Sequence, residues 1–183
     1  MQKRLMFITI ALVSLAIAQL GSYLVESHLQ QNTVLEIWPF LNLTHVRNLG
    51  GIFGLFQGKG WLFAWGSFLF LSGLFFYVLR DPRLKRFEYI CFGLIAGGGA
   101  SNIMDRLVYG SVIDFIDVRG IPHWNYIFNT ADVMIHVGIW PLVLASLFVE
   151  HGKKPKNETG DAPLSAGKAE PEVSQAPLEN DQN

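Results

Sequence analysis

The stretch GGGASNIMDRLVYGSVIDFIDVRG, residues 97–120, runs from four small residues into three aspartates, Asp105, Asp114 and Asp117, within thirteen positions. Small residues let helix backbones approach closely inside lipid, so residues 97–100 read as a helix packed against its neighbours near the end of an apolar run. They place Asn102 and Arg106, four apart, on one face of that helix end, with Asp105 on another bearing. Further on, VIDFIDV alternates as a half-buried strand does. The segment therefore asks for a helix bundle with a strand-built layer over one end. A fourth acid, Asp132, heads the next apolar run. Acids at such a boundary are expensive to keep and are the residues to explain.

Outward from this stretch the chain is apolar in blocks. Of its 183 residues 50% are hydrophobic and 16% charged, against about 25% charged in soluble domains. Mean hydropathy is +0.29. Leu5 to Val25 has no charge in 21 positions, Trp61 to Leu79 none in 19, and Val133 to Val149 none in 17. Phe92 to Met104 is also uncharged and extends back through Glu88 to Phe87. A span needs about 20 residues. The expected fold is an α-helical polytopic membrane protein: a four-transmembrane-helix bundle with a small external β-cradle and an interfacial helix. The spans fall at about 5–25, 61–79, 87–104 and 132–149, with external segments 26–60 and 106–131. Residues 1–152 form the membrane domain, and 153–183, rich in Pro, Glu, Asn, Gly and Ala without apolar periodicity, read as a disordered tail.

The first apolar run follows Lys3 and Arg4, yet it exceeds the roughly 7 to 15 apolar residues of a cleaved export signal and reads as a retained helix. Basic residues beside the spans set orientation. Lys3 and Arg4, the loop RDPRLKR at 80–86 and the lysines of HGKKPK point to cytoplasmic N- and C-termini. In the first external segment LNLTHV alternates, with Leu41, Leu43 and His45 on one side, and IFGLF suits a short interfacial helix. Trp38, Phe40, Phe53 and Phe56 fit the membrane–water boundary. No basic patch suggests a nucleic acid. The single Cys91 excludes an intramolecular disulfide.

Asp114 and Asp132 stand 18 residues apart, yet both fall at the external face, and folding back the connection would join them. Two carboxylates in one low-dielectric site hold a proton between them. Such a pair can activate water with one member and protonate an amide carbonyl with the other, without a covalent intermediate. Asp132 is equally well placed to cap a helix, and the two roles are compatible. Asn48, Asn102 and Asn129 could hold groups around the pair, and Arg106 could balance an acid; all four could equally satisfy loop carbonyls. His136, four residues after Asp132, reads as structural. The sequence has no HExxH, no GxSxG elbow and no phosphate loop. No metal or organic cofactor is required.

Three blocks, NLTHVRNLGGIFGLF at 42–56, GGGASNIMDRLVYGSVIDFID at 97–117 and FNTADVMIHVG at 128–138, resemble the bacterial lipoprotein signal peptidases, the signal peptidase II family of membrane aspartic proteases. The resemblance implies that Asp114 and Asp132 are the catalytic pair. It implies that Asn48, Gly50, Asn102, Arg106 and Asn129 support the aspartates or the substrate, and that Asp105 and Gln19 are structural near the site. It also implies the substrate, a diacylglyceryl-modified prolipoprotein cut on the amino side of its lipidated cysteine, with phospholipid as surroundings and globomycin-type cyclic peptides as inhibitors. The location implied is the bacterial cytoplasmic (inner) membrane, with the site near the external face. One departure stands out in IAQLGSYLV: Ala18 occupies the place of an aspartate before Gln19, and Ser22 that of a lysine. The alternatives are a noncatalytic binding or structural membrane protein and a small transporter, whose acids would lie at several depths. A presenilin-like protease would show a GxGD-type signature, which is absent.

Overall fold

In the computed structural model the described residues are 1–51 and 55–152, with side chains through Phe148. Four long helices and four strands follow one another: α1 (Gln2–His28), β1 (Val34–Trp38), β2 (Leu41–Asn48), α2 (Gly60–Arg80), α3 (Arg86–Tyr109), β3 (Val112–Val118), β4 (Ile127–Phe128) and α4 (Thr130–Gly152). Three of the helices, Gln2–His28, Gly60–Arg80 and Thr130–Phe148, are long and apolar enough to cross a membrane. The remaining one, α3, has 24 residues and carries Arg86, Glu88, Asp105 and Arg106 towards its ends. It packs against each of the other three helices. A helix so enclosed needs less apolar surface than its neighbours, which face lipid on most of their circumference.

The helices are built inside out relative to a soluble bundle. On α1 the buried face is Phe7, Ser14, Ala18, Ser22 and Val25, spaced as one helical stripe, whereas Leu5, Leu12, Val13, Ile17 and Leu20 are exposed. Lipid gives no hydrophobic reason to bury leucine between helices, so small side chains that permit close packing occupy the interfaces. The glycine run of α3 follows the same rule in three directions. A methyl group at Gly97 would overlap the carbonyl oxygen of Ala11 on α1. At Gly98 it would stand 2.5 Å from the carbonyl oxygen of Ala131 on α4, and at Gly99 it would meet only the side-chain tip of Leu71 on α2, at 3.1 Å. Three successive residues thus seat three different helices.

Larger side chains close the bundle at its two ends. Phe7, Val78, Leu84 and Tyr89 cluster at one end, where Lys3 Nζ also donates to the Leu84 carbonyl at 2.8 Å. At the other, Val25 of α1 packs with Ile113 and Phe115 of β3 and fixes the sheet to the bundle. The sheet is antiparallel in the order β1-β2-β3-β4. Strands β2 and β3 coincide with the two alternating segments, but a bulge between Leu43 and Val46 breaks the expected alternation, so Thr44 and His45 are both buried. Thr44 Oγ1 donates to Asp117 at 2.9 Å, and His45 Nδ1 donates to the Leu29 carbonyl at 2.7 Å.

Two boundaries differ from expectation. Helix α3 continues past the expected span end at 104 to Tyr109 and carries Arg106 one turn after Asn102, as their spacing implied; Gly110, with φ of 74°, ends it in the left-handed conformation. The interfacial helix expected over 52–56 falls mostly on residues outside the described ones, and Leu55 and Phe56 lie in a turn. The tail from residue 153 also lies outside them. The three glycine contacts give a graded expectation. Gly97→Val and Gly98→Val should each lower stability in detergent by about 1–3 kcal/mol through overpacking, and Gly99→Val by clearly less, since the Leu71 tip can turn aside. Thermal unfolding of the purified variants measures this order; a Gly99→Val as damaging as the other two would refute it.

Candidate active site

Asp114 lies in β3, opposite Val46 of β2, in a strand whose residues 112–115 are all buried. Its carboxylate accepts from Asn48 Nδ2 at 3.0 Å and from Asn129 Nδ2 at 2.8 Å. Asp132 lies in the first turn of α4 and accepts from Asn102 Nδ2 at 2.8 Å and from the Asn129 backbone N–H at 3.3 Å. Asn129 Oδ1 in turn accepts from the Asp132 backbone N–H at 3.0 Å. This reciprocal pair is the geometry of a capping box. Asp132 therefore does cap its helix, and its second carboxylate oxygen remains directed to Asn102.

Asn129 also donates to Asn102 Oδ1 at 3.1 Å, so one amide group touches Asp114 and the partner of Asp132 together. The connection from β3 to α4 has folded back, as the spacing of the two acids required. Burial is the larger reason why the Asp114 carboxyl rises to about 7, and the negative charge of Asp132 is the next; the amides of Asn48 and Asn129 and the charge of Arg106 oppose both.

The remaining expected residues complete a closed circuit. Asn48 Nδ2 also donates to the Gly51 carbonyl at 3.1 Å, while its Oδ1 accepts from Gly50 N at 3.0 Å. Arg106 donates to the Gly50 carbonyl at 2.8 Å and to the Asn102 carbonyl at 3.0 Å. Following the partners leads from Asp114 through Asn48, Gly50, Arg106, Asn102, Asp132 and Asn129 back to Asp114. Gly50 itself has no room for a side chain, because a Cβ would run into the Leu55 carbonyl oxygen.

Asp105 and Gln19 lie outside the circuit, in a second cluster at the contact of α1 and α3. Asp105, 1% exposed, accepts from Gln19 Nε2 at 2.7 Å, from Ser22 Oγ at 2.9 Å and from the Ile113 backbone N–H at 3.2 Å. Ser22, at the position where the resemblance leads one to expect lysine, supplies a neutral hydroxyl, and Ala18 is buried against the bundle. The Ile113 bond fixes the residue next to Asp114. Asp117 belongs to neither cluster: Arg119 and Thr44 hold it in the sheet.

One support was missed in the sequence. Glu26 near the end of α1 pairs with Arg47 and lies 3.1 Å from His45 Nε2, tying β2 to α1 just before Asn48. Arg47 and His45 are two apart on a strand and so share a side by simple alternation, but nothing in the sequence named Glu26 as their partner. His136 Nδ1 donates to the Asp132 carbonyl at 2.8 Å. Among the described residues no three His, Cys, Asp or Glu side chains converge as a metal site would need.

The family model described as Signal peptidase (SPase) II matches residues 10–148 of the chain. The chain belongs to the signal peptidase II family. Its relatives in the family include the lipoprotein signal peptidase of Fusobacterium nucleatum subsp. nucleatum, 34% identical over 154 residues that cover 83% of this chain and 92% of that one. The lipoprotein signal peptidase of Trichormus variabilis is 38% identical over 150 residues, 79% of this chain and 91% of the other. A solved structure, described as a bacterial membrane enzyme determined by the in meso method at 2.3 Å, matches with a TM-score of 0.74 at 29% identity. That match covers 82% of this chain and 92% of the solved one. As a signal peptidase II family member the chain is a multi-pass membrane protein of a peptidase lineage.

The geometry at Asp105 yields an expectation for this family member. Asp105→Ala removes the acceptor for three donors and should cost about 3 kcal/mol or more, since a bond to a charged group contributes about 1.5–3 kcal/mol and buried donors would be stranded. Asp105→Asn should fall between, because its amide oxygen can keep the bonds from Ser22 and the Ile113 N–H while its NH2 group faces Gln19 Nε2 donor to donor. Denaturation midpoints in detergent test this; an Ala variant as stable as wild type would contradict the role.

Proposed function

We propose that the chain is an aspartic endopeptidase that removes the signal peptide from diacylglyceryl-modified prolipoproteins, cutting on the amino side of the lipidated cysteine, with Asp114 and Asp132 as the catalytic pair. The observation that carries this reading is Asn129, whose amide and backbone N–H bond one aspartate each and so hold two acids from distant parts of the chain at one place. The names of the relatives, lipoprotein signal peptidases, supply the substrate class.

The chemistry follows from the unequal surroundings of the two acids. With its carboxyl raised to about 7, Asp114 keeps its proton in about half of the molecules at neutral pH, and in that form it serves as general acid. Asp132, the carboxylate, takes a proton from the attacking water, and Asp114 gives its proton to the carbonyl oxygen. The water oxygen bonds to the carbonyl carbon. The resulting diol collapses when a hydroxyl returns its proton to Asp114. The C–N bond then breaks, and the proton on Asp132 passes to the leaving amine. Arg106, within electrostatic reach of Asp114, limits the charge the site accumulates. Asn48, Asn102 and Asn129 keep both carboxylates from turning.

In this reading α3 is the remaining span of a four-span bundle in the inner membrane. The termini face the cytoplasm, where the basic residues gather, and the sheet and the two aspartates lie at the external face. Acyl chains of the substrate stay in hydrocarbon, each buried methylene contributing about 0.8 kcal/mol, while the peptide reaches the sheet. Globomycin-type peptides would compete there.

Purified wild-type protein should cleave a diacylglyceryl-modified prolipoprotein before its lipidated cysteine, whereas Asp114→Asn and Asp132→Asn, each shown folded by circular dichroism, should lose at least about 100-fold. Cleavage by either variant at the wild-type rate would overturn the assignment, and an inactive wild type would overturn the function. The pH dependence is a separate check. As pH rises through about 7, Asp114 loses its proton and the general acid is lost, so kcat/KM should fall on that limb. The Asn48 amide favours the charged form; Asn48→Ala should therefore move the same limb to higher pH. A limb that stays put or moves down would show that Asp114 does not set it.

A further inference from the structure

Away from the aspartates, α2 and α3 leave a groove of about 640 Å³ between them. Phe68, Leu71, Phe75 and Leu79 of α2 and Ala100 and Ile103 of α3 line it. The α2 positions recur at helical spacing, and from residue 68 to residue 80 they extend about 18 Å along the axis. At its far end the groove meets a second pocket of about 450 Å³, with Phe76 and Arg80 common to both and Arg83 on the second. One space is apolar and elongated, and the other, where α2 ends, is lined by Arg80 and Arg83 with Asp81 as its one acid.

Among the described residues no ion pair joins Arg80 to an acid. Its guanidinium lies 4.5 Å over the Phe76 ring, which fixes its position while leaving its N–H groups free to turn outward. Arg83 is bound to Asp81 at 3.1 Å and remains open to solvent. The C-terminus of α2 opposes an anion with about half a negative charge. Four basic residues against one acid in RDPRLKR outweigh it.

That charge decides the occupant. A signal peptide would bring its own positively charged segment to this level, and the basic loop would repel it. A second copy of the chain in the same orientation would present the same basic loop. An acyl chain with an anionic headgroup satisfies both parts, and guanidinium groups suit phosphate oxygens in particular. We propose that the groove and the basic pocket together bind an anionic phospholipid, its phosphate on Arg80 and Arg83 and one acyl chain along α2. The site is separate from the aspartates, and its occupation does not require catalysis.

Native mass spectrometry of the delipidated full chain tests it, with phosphatidylglycerol or phosphatidylcholine of identical acyl chains added back. Wild type should retain phosphatidylglycerol at least about fivefold better, the scale of one basic residue at a lipid surface, and Arg80→Gln should abolish the preference. Ser72→Trp, at an exposed groove position, should weaken phosphatidylglycerol while leaving the melting temperature in place. Equal retention of the two lipids by wild type, or wild-type behaviour of Arg80→Gln, would overturn the proposal. Neither readout involves peptide cleavage, so that failure would leave the peptidase reading intact.

Discussion

The close approach of three helices to α3 is the constraint from which the rest follows. Without a hydrophobic drive between helices in lipid, contact must come from packing, and packing at this distance requires residues with no side chain at Gly97 and Gly98. Contact with Ala131 sets the first turn of α4, one residue before Asp132. Contact with Ala11 and Ser14 brings α1 alongside, and with it Gln19 and Ser22 against Asp105. Asp105 then holds Ile113, and β3 leaves the bundle in a fixed register. The placement of the two acids is thus a consequence of how the helices touch at Gly97 and Gly98.

Above that frame the polar groups face a second demand. In surroundings of low polarity each donor and acceptor must find a partner. Three asparagines do most of this, and the choice of residue is physical. An amide offers donors and an acceptor without a charge, so it can bind a carboxylate on one side and a backbone carbonyl on the other. Asn48 does so with Asp114 and the Gly51 carbonyl, and Asn129 binds Asp114 and the side-chain oxygen of Asn102, neither neutralising the acid. Lysines in the same places would have held the acid ionised.

Much of this was legible in the sequence, and the parts that were not share a cause. Uncharged runs marked α1, α2 and α4, and a shorter uncharged run, 92–104, marked α3, whose glycines announced a packed helix. Alternation marked β2 and β3. Strand β1 is exposed along its length and β4 has only two residues, so neither leaves a burial pattern to read. The bulge in β2 was invisible because the extra residue changes no residue type, and the pairing of His45 and Arg47 with Glu26 was missed because the partner lies on α1, far off in sequence. Among the candidate residues, motif blocks put Asn48, Asn102, Arg106, Asp114, Asn129 and Asp132 together by resemblance. Spacing alone could only say that Asp114 and Asp132 shared a face. Ser22 read as a departure, and only the fold shows what its hydroxyl touches.

The position of Asp132 on the last helix carries one more consequence. A chain is made from its first residue onward, so β2, α3 and β3, with Asn48, Asn102, Arg106 and Asp114, exist before α4 does. Until Asn129 and the residues after it have left the ribosome and α4 has entered the bilayer, Asp114 has neither Asn129 nor Asp132 beside it. On the proposed chemistry, a nascent or truncated chain is inert as a hydrolase. On that chemistry the order of translation itself withholds activity until the last helix is in place.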